Sequence, residues 1–141
     1  MKVFLNGIWL MCAVISLQWV TQDRGSVEVI VENVSPLKGT LRAALYDSKE
    51  KFMKKHVQVS EVKVTSLNMR LTFNDLPSGE YAFSIFHDIN DNGELDTNLL
   101  GIPKEPWGFS NNARGTFGPP DFEAASFRVS EKVVLQVKLN R

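Results

Sequence analysis

The chain has 141 residues, 43% hydrophobic and 23% charged, a profile that fits a globular protein and excludes a disordered or fibrous one. Its 16 basic residues balance its 16 acidic ones, so nothing in the overall charge draws it to nucleic acid or an anionic membrane. Two histidines and one cysteine exclude a Cys/His zinc site and an intramolecular disulfide.

The first residues stand apart. Lys2 gives a short positive start, Val3 to Val20 is apolar except for Asn6, Gly7, Ser16 and Gln18, and Thr21, Gln22, Asp23 and Arg24 close the stretch. This order predicts a signal peptide over 1–22 and export to the periplasm, cell surface or extracellular space. A membrane anchor is the competing reading, but the stretch is near the lower limit of roughly 17 residues for a spanning helix. Cleavage leaves no membrane span. It also removes Cys12, and an exported domain without cysteine suits a bacterial protein.

Residues 23–141 read as a single domain of strands and turns. Val27, Val29 and Val31 alternate with Glu28, Ile30 and Glu32, which predicts a strand with a buried face. Pro36 and Gly39 mark a turn, and Leu41, Ala43 and Leu45 predict the second strand. Asp47 to Met53 has the composition of a short helical turn. Val57–Val64 and the alternating Met69, Leu71 and Phe73 give strands three and four. After a turn over Asn74–Gly79, Tyr81, Phe83, Ile85 and His87 share one face of a fifth. Leu76, Pro77, Gly79 and Tyr81 resemble the tyrosine corner of Greek-key sandwiches, in which a tyrosine hydrogen-bonds back across the corner. Ala125, Phe127 and Val129 predict strand six, and Val133, Leu135, Val137 and Leu139 strand seven. The expected fold is all-β: a seven-stranded antiparallel Greek-key sandwich with one long ordered loop.

That loop, Asp88 to Phe122, spans roughly 35 residues, beyond the usual limit for a structureless connection. Trp107, Phe109, Phe117 and Phe122 give it the means to pack against the domain. It opens with the spacing of an EF-hand calcium loop. Asp88, Asn90, Asn92 and Asp96 stand at positions one, three, five and nine, Gly93 at six, and the carbonyl of Glu94 at seven. Calcium is a hard ion that takes six to eight oxygens, and alternate residues of a tight loop direct theirs to one centre. Position twelve, normally a bidentate glutamate, is Leu99. Glu105, Asp121 or water would then have to complete the shell. The competing reading is a set of Asx turns bonded to their own backbone, without metal.

Farther on, Glu105, Ser110, Asn111, Asn112 and Arg114 are suited to bind a carboxylate, phosphate or sugar, or else to satisfy the loop's own backbone. His87, just before the loop, is a further candidate contact.

Phe86, His87, Asp88, Asn90, Asn92, Gly93, Leu95 and Asp96, then Gly101 to Pro103, Glu105 and Pro106, Gly108 to Gly115, and Gly118 to Pro120 form a long ordered pattern. It resembles the bacterial family called domain of unknown function 2141, across the whole mature chain and most densely from Leu76 to Phe127. Trp107 replaces the tyrosine expected there. The resemblance implies an exported protein and no established activity. The corner is also similar to transthyretin-like and collagen-adhesin B-type modules, mostly structural or binding units. The expected function is therefore a non-enzymatic binding or accessory module whose ligand is a small molecule, a glycan or an envelope protein, not nucleic acid. A hydrolase or isomerase acting through His87, Asp88 and Arg114 is the alternative, although no nucleophile and base are paired in a known motif.

Overall fold

The computed structural model describes residues 23–141, so the signal segment expected over 1–22 lies outside the described residues. Alternation dictates the core. Val27, Val29 and Val31 on β1 (Arg24–Val31) are completely buried on one side of the strand. Leu41, Ala43 and Leu45 do the same on β2 (Thr40–Tyr46), Met69, Leu71 and Phe73 on β4 (Met69–Pro77), and Tyr81, Phe83 and Ile85 on β5 (Gly79–Asp88). These side chains, with Val129 and Val137, form one apolar cluster shared by two sheets.

The first sheet has the order β4-β1-β8, with β8 spanning Lys132–Val137. The second has the order β3-β2-β5-β6, with β3 at Gln58–Lys63 and β6 at Trp107–Phe109. A short β7 (Phe127–Val129) pairs with the start of β5. The seven expected strands are present, with β6 in addition, giving eight strands among the described residues. The expectation of a fully antiparallel arrangement fails at one pair. β8 runs parallel to β1, Ser26 opposite Lys132 through Val31 opposite Val137. Alternation fixes which face of a strand is buried but carries no information on its neighbour's direction.

Asp47–Lys54 forms tight turns, with Phe52 N–H bonded to the Ser48 carbonyl at 3.0 Å, as its composition suggests. The long connection is more regular than expected. It holds β6, a single 3-10 turn at Ser110–Asn112, and α1 (Phe122–Ala125). Its aromatics form a second cluster with Tyr46, Phe52 and Ala82, in which Phe52 meets Tyr46, Phe109 and Phe122 edge to face at centroid distances of 5.3, 6.1 and 5.7 Å. Phe117 is the exception among the aromatics expected to pack, for it is fully exposed.

The chain crosses between the sheets at Ser78, from β4 into β5. There the buried Tyr81 donates its hydroxyl to the Pro77 carbonyl at 2.8 Å, the bond expected of a tyrosine corner. Burial pushes the pKa of this phenol up, which keeps the donor protonated. Tyr81→Phe should cost about 1 kcal/mol, the net worth of one such bond, and leave the circular dichroism spectrum unchanged. Urea unfolding of the two proteins checks this; equal midpoints would remove the corner's role.

Candidate functional site: the Asp88 knot

β5 ends at a buried carboxylate. Asp88 is 0% exposed, and each of its carboxylate oxygens accepts at least one hydrogen bond. Arg42 Nε on β2 donates to Oδ2 at 2.8 Å, Gly93 N–H donates to the same atom at 2.8 Å, and Asn92 N–H donates to Oδ1 at 3.1 Å. Arg42 also pairs with Glu61 on β3. Burial pushes the Asp88 pKa up, but the Arg42 bond and the Gly93 and Asn92 amides outweigh it, and the carboxyl is held below the usual range.

Local rules explain the turn. Gly93 has φ +85°, the left-handed value expected at position six of the loop, and this conformation lets its N–H turn back onto Asp88. Gly39, at φ +77°, lies so close that a Cβ there would sit 2.2 Å from the Asp88 carbonyl oxygen. No other residue fits at Gly39 without moving the site.

The remaining loop oxygens are gathered at the same place. Asn90 and Asn92 both donate side-chain N–H groups to Asp96, at 2.7 and 2.9 Å. Asn90 Oδ1 accepts from Asn92 N–H at 3.2 Å, and Asn92 Oδ1 from Glu94 N–H at 3.0 Å. Asp88, Asn90, Asn92 and Asp96 thus form one hydrogen-bonded knot, with Glu94 joined through its backbone. The outward-facing Asp91 is tied to Lys63 on β3 and Thr40 on β2. Among the described residues, no group of three or more His, Cys, Asp or Glu side chains is placed to hold a metal ion. A calcium ion here would therefore draw on the two amides and the Glu94 carbonyl besides Asp88 and Asp96.

The other candidates are placed elsewhere. Glu105 is buried and accepts the N–H groups of Ile89 at 2.8 Å and Asp96 at 3.1 Å, closing the base of the loop. Ser110, fully buried, accepts Phe83 N–H at 2.9 Å and donates to the Ala125 carbonyl at 2.6 Å. It serves β5 between the residues paired with β7 and those paired with β6. Asn111 donates to the Ser126 carbonyl at 2.7 Å, and Asn112 accepts Lys138 N–H at 2.8 Å. These four side chains satisfy backbone groups of the protein. Arg114 is exposed and has no hydrogen-bond partner among the described residues. Asp121 precedes α1 near Lys49, and its carbonyl accepts from Ala124 and Ala125.

His87 shares the core-facing side of β5 with Phe83 and Ile85 and is 0% exposed. Its Nε2 lies 2.7 Å from the Lys38 carbonyl, which can only accept, so Nε2 carries the proton. Nδ1 has no partner among the described residues. Asp88, the next residue, points to the other side of the strand. His87 and Asp88 therefore do not share a face of β5. The residue not anticipated from sequence is Arg42. Its one local signal is a charged side chain in mid-strand among Leu41, Ala43, Ala44 and Leu45.

These features define a small two-sheet β protein whose distinctive chemistry lies on the segment between β5 and β7. The chain matches, over residues 29–136, the family described as "Uncharacterized protein conserved in bacteria (DUF2141)", and it belongs to that family. No curated protein and no solved structure matches it.

A carboxyl with a lowered folded-state pKa contributes stability above its unfolded value, about 3.9, and loses it as the pH falls through the folded value. The melting temperature should therefore drop on acidification below about pH 4, and Asp88→Asn should flatten that limb while costing about 2–3 kcal/mol at pH 7. Thermal melts across pH test this, and parallel acid limbs would refute it. Ser110→Ala, which leaves a buried N–H and a buried carbonyl without their partner, should cost about 2 kcal/mol by urea unfolding.

Proposed function

We propose that the protein is an exported, non-enzymatic binding or accessory module: a Greek-key sandwich of the immunoglobulin or transthyretin-like kind whose Asp88–Asp96 loop takes up calcium and presents a stiffened ligand face. One observation carries the reading: hydrogen bonds link Asp88, Asn90, Asn92 and Asp96 into a single knot at the end of a core strand, the Asp88 and Asn90 side chains sharing the Asn92 N–H and both amide side chains donating to Asp96. Hard oxygen donors at alternate positions suit calcium in kind and spacing. Asp96 already draws both amide side chains to its carboxylate, the group that would attract a cation. The spare lone pairs of Asp88 Oδ1 and Asp96, with the amide oxygens and the Glu94 carbonyl, would supply the ligands, and water the rest.

Export is supported by the Lys2-to-Val20 pattern. Among the described residues, no helix is long and apolar enough to cross a membrane. The Tyr81 corner supports the Greek-key reading.

With two carboxylates and two amides, affinity should fall in the range of roughly 10⁻⁴–10⁻³ M. Calcium at about ten times its dissociation constant should add roughly 1.4 kcal/mol, raising the melting temperature by about 3–6 °C. Asp96→Ala should abolish the rise, and magnesium should not reproduce it. An unchanged melting temperature in millimolar calcium would retire the metal.

A further inference from the structure

The second sheet turns one face to the core, and its other face is only partly covered by the aromatic cluster. Register places two cross-strand rows on that outer face. One runs Glu61, Arg42, Phe86, Trp107, and the other Val59, Ala44, Ser84, Phe109. Where the rows meet beside Gly93 there is a cleft of about 260 Å³, lined by Arg42, Ala44, His56, Glu61, Ser84 and Phe86. Its floor is low because Ala44 and Ser84 are small. Phe86, half-buried, supplies an aromatic wall, and the exposed His56 stands at the rim.

The polar groups around this hollow have unused capacity. Arg42 commits Nε to Asp88 and Nη1 to Glu61, so its other terminal nitrogen has no partner among the described residues. Glu61 Oε2 is likewise without one among the described residues. Ser84 Oγ has only a long contact of 3.4 Å with the Tyr46 hydroxyl. A donor therefore stands next to an acceptor in a hollow that Phe86 also lines. The two acids around Arg42 remove the pull an anionic ligand needs. A carboxylate group has no proton to give Glu61, and an ammonium group has no lone pair to take from Arg42. A hydroxyl does both, and adjacent hydroxyls on a ring match an Arg–Glu pair. The C–H face of the same ring packs against an aromatic side chain.

We propose that this cleft binds a saccharide, one ring seated on Ala44 and Ser84 against Phe86, with neighbouring hydroxyls held by Arg42 and Glu61. This deepens the binding-module reading and rests on it. The same Arg42 links cleft and loop, so the knot that fixes Asp88 also fixes the guanidinium in the sugar site.

Amide NMR titration of the protein with glucose, galactose, mannose and N-acetylglucosamine, each to tens of millimolar, tests the assignment. At least one sugar should give saturable shifts at Ala44, Ser84 and Phe86, with a dissociation constant in the low millimolar range. Ala44→Leu, which fills the floor, should weaken it about tenfold or more. Glu61→Gln, at an exposed position on the edge strand, tests the same contact without touching the packed face and should weaken it about fivefold. No saturable shift with any of the four sugars overturns the proposal, as do shifts unchanged in Glu61→Gln. Saturation by indole in place of the sugars marks an aromatic-ligand cleft and also overturns it. Calcium-dependent melting of the same sample separates the two readings: if calcium stabilises and no sugar binds, the saccharide alone is wrong, and if a sugar binds without any calcium effect, the metal alone is wrong.

Discussion

A carboxylate with no exposure to solvent must be compensated inside the protein, and Asp88 sets that requirement at the end of β5. Three donors meet it, from two distant stretches of the chain: the Arg42 side chain on β2, and the adjacent Asn92 and Gly93 amides of the loop that follows. The compensation organises its surroundings. It makes the loop turn at Gly93, keeps Gly39 free of a side chain, and orients the guanidinium that continues to Glu61. Glu105 does the same work at the other end of the loop, where one buried carboxylate collects two backbone amides. Acidic side chains here act first as anchors for an irregular path, and any ligand chemistry is built upon that.

The connection between β5 and β7 shows how a long irregular segment is kept rigid. Backbone groups outside regular structure still need partners, and buried ones cannot rely on solvent. Ser110, Asn111 and Asn112 reach Phe83, Ala125, Ser126 and Lys138, four points on three different elements and their flanks. Aromatic packing of Phe109 and Phe122 on Phe52 supplies the apolar half of the same task. The segment is therefore a fitted cover on part of the second sheet, and the part it leaves open is the cleft at Ala44 and Ser84.

Strand positions were legible because alternation reports burial directly: Val27, Val29 and Val31 could lie on one face only if extended. The tyrosine corner was legible because it is local, four residues from donor to acceptor. Three things were hidden. β6 is three residues with a glycine at its centre, too short to show a period. The direction of β8 beside β1 leaves no mark on either sequence. Arg42 and Asp88 lie 46 residues apart, and neither has a neighbour in the chain that announces the other. For the site, the loop's residues were foreseen as a group, whereas the division between side chains that serve the backbone and those that remain open depends on tertiary distances. Ser110 and Asn112 offered the same donors and acceptors on paper as a ligand contact would.

The parallel pairing of β1 with β8 has a consequence for assembly. Ser26 and Lys132 are opposite one another, so the earliest described strand acquires its last neighbour from the far end of the chain. Until β8 arrives, β1 is paired with β4 alone, and its other edge presents free amides and carbonyls in a row of valines. Such a contact has about the largest loop to close that this chain offers, and closure of this kind is slow. A nascent or newly released polypeptide thus carries a sticky, half-finished layer for the whole interval, which makes the window before completion the period of greatest exposure to mispairing between chains.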